Sequence, residues 1–154
     1  GWWYVENGTI NFGYNGLIPY ADCWWCVAGG QVIFDYTGLW NDPYVGWWYV
    51  ENGVINFSYN GLIPYADCWW CVAGGQVIFD YTGLWNDPYV GWWYVENGTI
   101  NFGYNGLIPY ADCWWCVAGG RVAFEYTGCW TDPYVGTWYV ENGIINFAYG
   151  QVAQ

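Results

Sequence analysis

One pattern, W-x-V-x-x-G-x-h-x-F-x-Y with h apolar, returns seven times along the chain, in stretches that open at Gly1, Cys23, Gly46, Cys68, Gly91, Cys113 and Gly136. The openings fall 22 or 23 residues apart, and residues 46–90 differ from residues 1–45 only at Val54 for Thr9 and Ser58 for Gly13. A period in this range means stacked supersecondary units, because a single unit cannot bury its own apolar face and must cover it with the next copy.

The stretch Gly46–Phe57 shows what one unit is. Two aromatic and β-branched runs flank Asn52-Gly53, whose residues both tolerate positive φ and so specify a two-residue hairpin turn. With that corner fixed, Val50 faces Ile55 and Trp48 faces Phe57 on one side. Glu51 faces Val54, Tyr49 faces Asn56 and Trp47 faces Ser58 on the other. Units alternate between this E-N-G form and a C-W-W-C-V-A-G-G form that turns at Gly29-Gly30, so the larger period is 45 residues. Gly and Pro recur too often for helices, and the apolar period is 2. The expected fold is therefore all-β, a solenoid of seven stacked hairpins, with Trp3, Val5, Ile10, Phe12 and their equivalents in the axial core. The segments between hairpins, such as Ile18-Pro19-Tyr20-Ala21-Asp22, read as connectors, because proline is kept out of central strands.

No polar linker divides the array, so residues 1–154 read as a single domain. Residues 136–154 read as its C-terminal cap: Arg121, Ala123, Glu125, Cys129, Thr131 and Thr137 depart from earlier copies, and the tail Gly150-Gln151-Val152-Ala153-Gln154 is polar. With no initiator Met or signal peptide at Gly1, the chain reads as a mature or excised piece.

Composition narrows the function. The 16 Trp, 17 Tyr and 7 Phe stand against one Arg, no His and a net charge of −12. Nothing neutralises phosphates, which excludes nucleic acid, and an anionic membrane surface is excluded on the same ground. No apolar run is long enough to span a bilayer, so membrane insertion is not expected. The acids, Glu6, Asp22, Asp35, Asp42 and their copies, keep an aromatic surface wet. Seven Cys point to an oxidising, extracellular or cell-surface location.

The cysteines do not read as metal knuckles. On an extended strand Cys23 and Cys26 point to opposite faces, and no helix lowers a thiol pKa. Structural disulfides or buried thiols remain, and Cys129, unmatched in earlier repeats, has Cys113 or Cys116, or a second molecule, as its partner. Catalysis lacks His, Lys and a converging carboxylate pair, so no enzyme and no cofactor are expected.

Two surfaces are candidates for binding. In the C-W-W-C hairpins the inward set is Cys23, Trp25, Val27, Val32, Phe34 and Tyr36, and the outward set is Trp24, Cys26, Ile33 and Asp35. Both faces are apolar, and such a strand is normally covered on both sides by a connector, a neighbouring molecule or a ligand. Cys26, Ile33, Cys71, Ile78 and Cys116 thus form a candidate self-association stripe. The outward rings Trp2, Tyr4, Trp24, Trp47, Tyr49, Trp69, Trp92, Tyr94 and Trp114 form a candidate ligand array, since rings grip sugar faces or quaternary ammonium groups.

The run Gly-Trp-Trp-Tyr-Val-Glu-Asn-Gly, followed by Ile-Asn-Phe and Tyr-Asn-Gly, resembles the aromatic-rich tandem repeats of secreted Gram-positive surface proteins. It is similar, more distantly, to choline-binding cell-wall repeats. The resemblance covers all seven units and implies a β-hairpin solenoid, secretion and binding to cell-wall or surface glycan. The C-W-W-C form, the absence of Lys and the spacing around the turn depart from that pattern, so no cage residue is carried over. Two functions follow from the sequence: a non-enzymatic extracellular structural protein that self-associates into a homo-oligomer or filament, or a module that anchors a secreted protein to cell-wall glycan.

Overall fold

The computed structural model describes residues 1–152. They fall into two compact units, Gly1–Ile78 and Phe79–Gln154. Among the described residues the one helical element is a 3-10 turn at Phe147–Tyr149, and every other regular element is a β-strand. The protein is all-β, an array of hairpin repeats, and within each unit successive hairpins stack as turns of a solenoid.

The E-N-G hairpin has the register its turn dictates. Val50 lies opposite Ile55 and Glu51 opposite Val54, around Asn52 and Gly53 at φ of 52° and 83°. The return strand, Val54–Ile55, stops after two residues. Trp48 therefore does not face Phe57 across a ladder; it pairs with Trp40 on one side and Gln76 on the other.

The longer pairings involve the segments read as connectors. Gly38–Asp42 runs antiparallel to Gly46–Glu51 around Pro43-Tyr44-Val45. Gly16–Tyr20 runs antiparallel to Cys23–Ala28 around Ala21-Asp22, at φ of 53° and 65°. Two consecutive positive-φ residues make the primed turn whose twist suits a hairpin, here built without glycine. The reading of Pro19 is corrected accordingly: it lies within a strand, opposite Trp24, next to the strand's end where the backbone is exposed. Proline is tolerated there because an exposed strand end leaves few ladder donors to lose.

Stacking is keyed by the turns. Gly53 N–H donates to the Tyr36 carbonyl at 2.8 Å, and the Gly53 carbonyl accepts from Cys26 N–H at 2.9 Å. Asn52 N–H donates to Thr37 Oγ1 at 3.0 Å. A Cβ on Gly53 would run into the Ile33 carbonyl oxygen, so the position requires glycine both for its φ and for the close approach of two backbones. Gly30 and Gly75, and Gly120 and Gly143 in the other unit, sit against the preceding repeat in the same way.

The core differs from the expected axial set in two respects. The valines are as expected: Val27, Val50, Val72, Val95, Val117 and Val140 are all buried, with Ile55, Ile100 and Ile145. The phenylalanines are not: Phe57, Phe102 and Phe147 remain about half exposed, as do Phe34, Phe79 and Phe124. Because the return strands end after two residues, each Phe leaves the ladder and lies edge-on to a tryptophan, as Phe57 does on Trp48 at 5.3 Å. In the first repeat all four expected core residues, Trp3, Val5, Ile10 and Phe12, are exposed. The second difference is that the outward cysteines Cys26, Cys71 and Cys116 are fully buried. The connector strands cover them, placing Leu17 opposite Cys26, with Val50 and Ile55 of the next hairpin in the same cluster.

Asp42 is another internal part. It is 2% exposed and has no cationic partner in its hydrogen-bond set. Its Oδ1 accepts from Tyr44 N–H at 2.7 Å and Val45 N–H at 3.0 Å, which closes its own turn. Its Oδ2 accepts from Leu17 N–H at 2.8 Å, which ties that turn to the preceding hairpin. Asp132 repeats these contacts with Tyr134, Val135 and Leu107. Asp42 and its copies are thus structural acids, a correction to their reading as solubilising surface groups.

At the other end, Gly150-Gln151-Val152 repeats Gly30-Gln31-Val32 in sequence and in place. Gln151 bridges to Trp138 as Gln31 does to Trp3, and Val152 N–H donates to the Thr137 carbonyl at 2.9 Å as Val32 N–H does to Trp2 at 3.0 Å. Ala153 and Gln154 of the expected tail lie outside the described residues.

Candidate functional site: ring-lined pockets

The Ala21-Asp22 hairpin brings Tyr20, the last residue of one strand, beside Trp25 of the next, whose indole N–H donates to the Tyr20 carbonyl at 2.9 Å. The bond satisfies the polar edge of the ring and leaves its face free. Phe34 follows the return strand Gln31–Val32 and meets Trp25 edge-on at 5.6 Å and 73°. Trp2, from the neighbouring E-N-G repeat, lies 5.6 Å from Tyr20. These four rings line a cavity of about 390 Å³, with Trp3 and Tyr4 also on its wall.

The same positions form a second pocket in the other unit. Trp92 lies 5.1 Å from Tyr110, and Trp115 meets Phe124 at 5.6 Å and 73°. Trp115 Nε1–H again donates to the carbonyl of the tyrosine, at 3.1 Å. These rings, with Leu84, Ala111 and Val122, enclose about 210 Å³. Each pocket wall is apolar or aromatic, without an ion pair or carboxylate. Ring faces carry negative quadrupole density, so such a wall suits a bulky, weakly hydrated cation.

Of the rings singled out from sequence, Trp2, Tyr4 and Trp92 line these pockets. Trp47 forms the corresponding ring pair with Tyr65, at 5.0 Å. Tyr49 and Tyr94 do not belong to a ligand surface: both are buried, stacked on Tyr59 and Tyr104 at 4.4 and 4.3 Å. Trp24 and Trp114 pack on the buried clusters around Cys26 and Cys116, and Trp69 is half-buried at the equivalent position. The residues that sequence reasoning missed are Tyr20, Trp25 and Phe34, with Tyr110, Trp115 and Phe124. The only trace in sequence is the two-residue Ala-Asp spacer between each Tyr and the following C-W-W-C run, which carries no glycine to mark it as a turn.

The proposed self-association stripe is not a free surface. Cys26, Cys71 and Cys116 are fully buried, Ile33 packs on the cluster of Leu17 and Val50, and Ile78 is half-buried. The protein's own connector strands supply the cover. Burial pushes the thiols of Cys26, Cys71 and Cys116 up to about 12, so they are inert at neutral pH. All seven cysteines are free, including Cys113 and Cys129. Cys129 takes the place of the leucine that is buried in earlier repeats and is itself exposed.

Paired hairpins stacked through glycine turns, with aromatic pockets recurring at equivalent positions, define an aromatic-rich β-hairpin repeat protein. The choline-binding repeat model matches residues 1–11, 13–33, 35–56, 58–78, 80–101, 103–123 and 133–146. The chain belongs to the choline-binding repeat family. Among solved structures it is similar to CbpJ from Streptococcus pneumoniae TIGR4, at 19% identity over 93% of this chain and 48% of that one, with a TM-score of 0.40. It is also similar to choline binding protein F from Streptococcus pneumoniae, at 19% identity over 91% and 44%, with a TM-score of 0.38. An alternansucrase solved with isomaltotriose is 14% identical over 87% of this chain and 12% of that enzyme, with a TM-score of 0.42. The chain thus spans less than half the length of these proteins. No curated protein matches it significantly.

Proposed function

We propose that the chain is a non-catalytic module of an extracellular or cell-surface protein, which holds the quaternary ammonium group of choline on a cell-wall polymer in its ring-lined pockets. The observation that carries this reading is the recurrence of one four-ring arrangement, Trp2, Tyr20, Trp25 and Phe34 in one unit and Trp92, Tyr110, Trp115 and Phe124 in the other. Membership of the family supports it. So does the net charge of −12, which favours approach of a cation and opposes an anionic polymer backbone that lacks one.

A sugar ring needs hydrogen-bond partners around its hydroxyls as well as a stacking face, and these walls offer mainly ring faces and aliphatic groups. A trimethylammonium group needs no hydrogen-bond partner and fits such a wall. Calorimetric titration of the full-length protein with choline chloride tests the proposal. Saturable binding is expected, and the double variant Trp25→Ala with Trp115→Ala should lower the number of choline molecules bound while circular dichroism stays that of the folded array, the Trp47–Tyr65 pair being untouched. Choline failing to bind while a neutral cell-wall oligosaccharide does would replace the ammonium reading with a glycan one.

A further inference from the structure

The third residue of each long hairpin strand is a tryptophan, and the residue paired with it on the adjoining strand differs between the two repeat forms. In the C-W-W-C form the partner is isoleucine: Ile18 lies opposite Trp25, Ile63 opposite Trp70 and Ile108 opposite Trp115. In the E-N-G form it is a second tryptophan: Trp40 lies opposite Trp48, Trp85 opposite Trp93 and Trp130 opposite Trp138. The rings around the pair correspond. Trp48 Nε1–H donates to the Val45 carbonyl as Trp25 Nε1–H does to that of Tyr20, and Phe57 meets Trp48 edge-on as Phe34 meets Trp25. Ile18 stands on the wall of the 390 Å³ cavity. An indole is far bulkier than the side chain of isoleucine, so at the matching place it fills the space that isoleucine leaves open.

Two further observations fit that exchange. The buried cluster on which Ile63 packs contains Tyr49, and the one on which Ile108 packs contains Tyr94. At the matching position the clusters on which Trp40 and Trp130 pack contain Cys26 and Cys116. Tyrosine accompanies isoleucine and cysteine accompanies tryptophan, so the core stays filled while bulk moves outward to the pocket position. The second cysteine of the C-W-W-C run is thus the space into which a tryptophan fits. The indole nitrogens of Trp40, Trp85 and Trp130 are also buried with no hydrogen-bond partner among the described residues, and Trp40 meets Tyr36 edge-on at 4.9 Å. A slot that offers an N–H no acceptor suits a group with no N–H to satisfy, which is the character of a quaternary ammonium.

We infer, on the reading that the ring-lined pockets hold choline, that Trp40, Trp85 and Trp130 are built-in occupants of the corresponding sites in the E-N-G repeats. Ammonium binding is then confined to alternate hairpins, and the isoleucine-or-tryptophan position decides which ones bind. The two sites differ at one more point. The strand end that carries Tyr20 in one form carries Asp42 in the other, with both carboxylate oxygens engaged by backbone N–H groups. Removing Trp40 therefore exposes three rings, Trp24, Trp48 and Phe57, in place of four.

Reciprocal exchanges in the full-length protein test this, with the number of bound choline molecules read by calorimetric titration with choline chloride. Ile108→Trp with Tyr94→Cys converts a pocket to the filled form and should remove one site. Trp40→Ile with Cys26→Tyr does the reverse and should add one, weaker than the others for want of the tyrosine wall. Circular dichroism checks that each variant keeps the fold, and Ile108→Trp alone, which leaves the buried cluster's tyrosine in place, is the second route to a filled pocket. A folded Ile108→Trp protein that binds as many choline molecules as the parent would overturn the inference and leave the pocket reading standing. So would a folded Trp40→Ile, Cys26→Tyr protein with no added site. A parent protein that binds no choline would overturn both.

Discussion

Asp42 shows how much one residue holds here. Burial opposes its charge, but N–H donors from Leu17, Tyr44 and Val45, with the Tyr14 hydroxyl, outweigh it and hold its pKa below the ordinary aspartate value. A carboxyl whose pKa is lower folded than unfolded stabilises the fold above the unfolded pKa, about 4, and loses that contribution as pH falls through the folded value. The expected outcome is a stability plateau at neutral pH that falls off only in strong acid, followed by chemical denaturation across pH. Asp42→Asn keeps the shape but turns an amide N–H toward Leu17 or toward Tyr44 and Val45. Leaving such a buried donor unsatisfied should cost roughly 1–3 kcal/mol, read in the same denaturation assay. Gly53 and Gly8 provide a second residue-scale comparison, because both have φ of 83°. Gly8→Ala meets open space and should cost about 1–2 kcal/mol for the left-handed conformation alone. Gly53→Ala must also displace the Ile33 carbonyl, so its melting temperature should fall clearly further.

At the scale of elements, what could be read depended on which turns announce themselves. Asn-Gly and Gly-Gly carry positive φ by residue type, so the register of Val50 with Ile55 and of Val27 with Val32 follows from sequence. Ala21-Asp22 adopts the same kind of turn without glycine, and alanine gives no such signal. That one silent turn made Gly16–Tyr20 read as a connector, left Cys26 apparently facing outward, and hid the convergence of Tyr20, Trp25 and Phe34. The Phe positions were misplaced for a different reason: alternation continues past Ile55 in sequence, but the ladder does not. Alanine held at positive φ also makes the turn improvable. Ala66, at φ of 52°, should gain about 0.5–1 kcal/mol on replacement by asparagine, which tolerates that conformation. A thermal melt of Ala66→Asn checks it, with unchanged choline titration showing that the neighbouring rings kept their places.

For the whole molecule the question is whether the pockets recognise charge or merely shape. The protein has 13 carboxylates and a single basic residue, Arg121, yet no carboxylate lines either pocket. Two contributions to cation affinity then separate by range. Attraction from the summed carboxylates acts over a distance and should weaken with salt, because charges beyond a screening length of about 8–10 Å are screened at ordinary ionic strength. Attraction from the ring faces acts at contact and is much less sensitive to salt. The neutral analogue of choline, in which carbon replaces the ammonium nitrogen, keeps the shape and loses both. It should bind more weakly than choline by roughly 0.5–2 kcal/mol, the range for a cation over aromatic faces, and most of that gap should survive in high salt. Competition titrations of the two ligands at low and high salt measure it. An analogue that binds as tightly as choline would mean that the pockets select an apolar shape, and a gap that vanishes with salt would assign the selectivity to the acidic surface instead of to the rings.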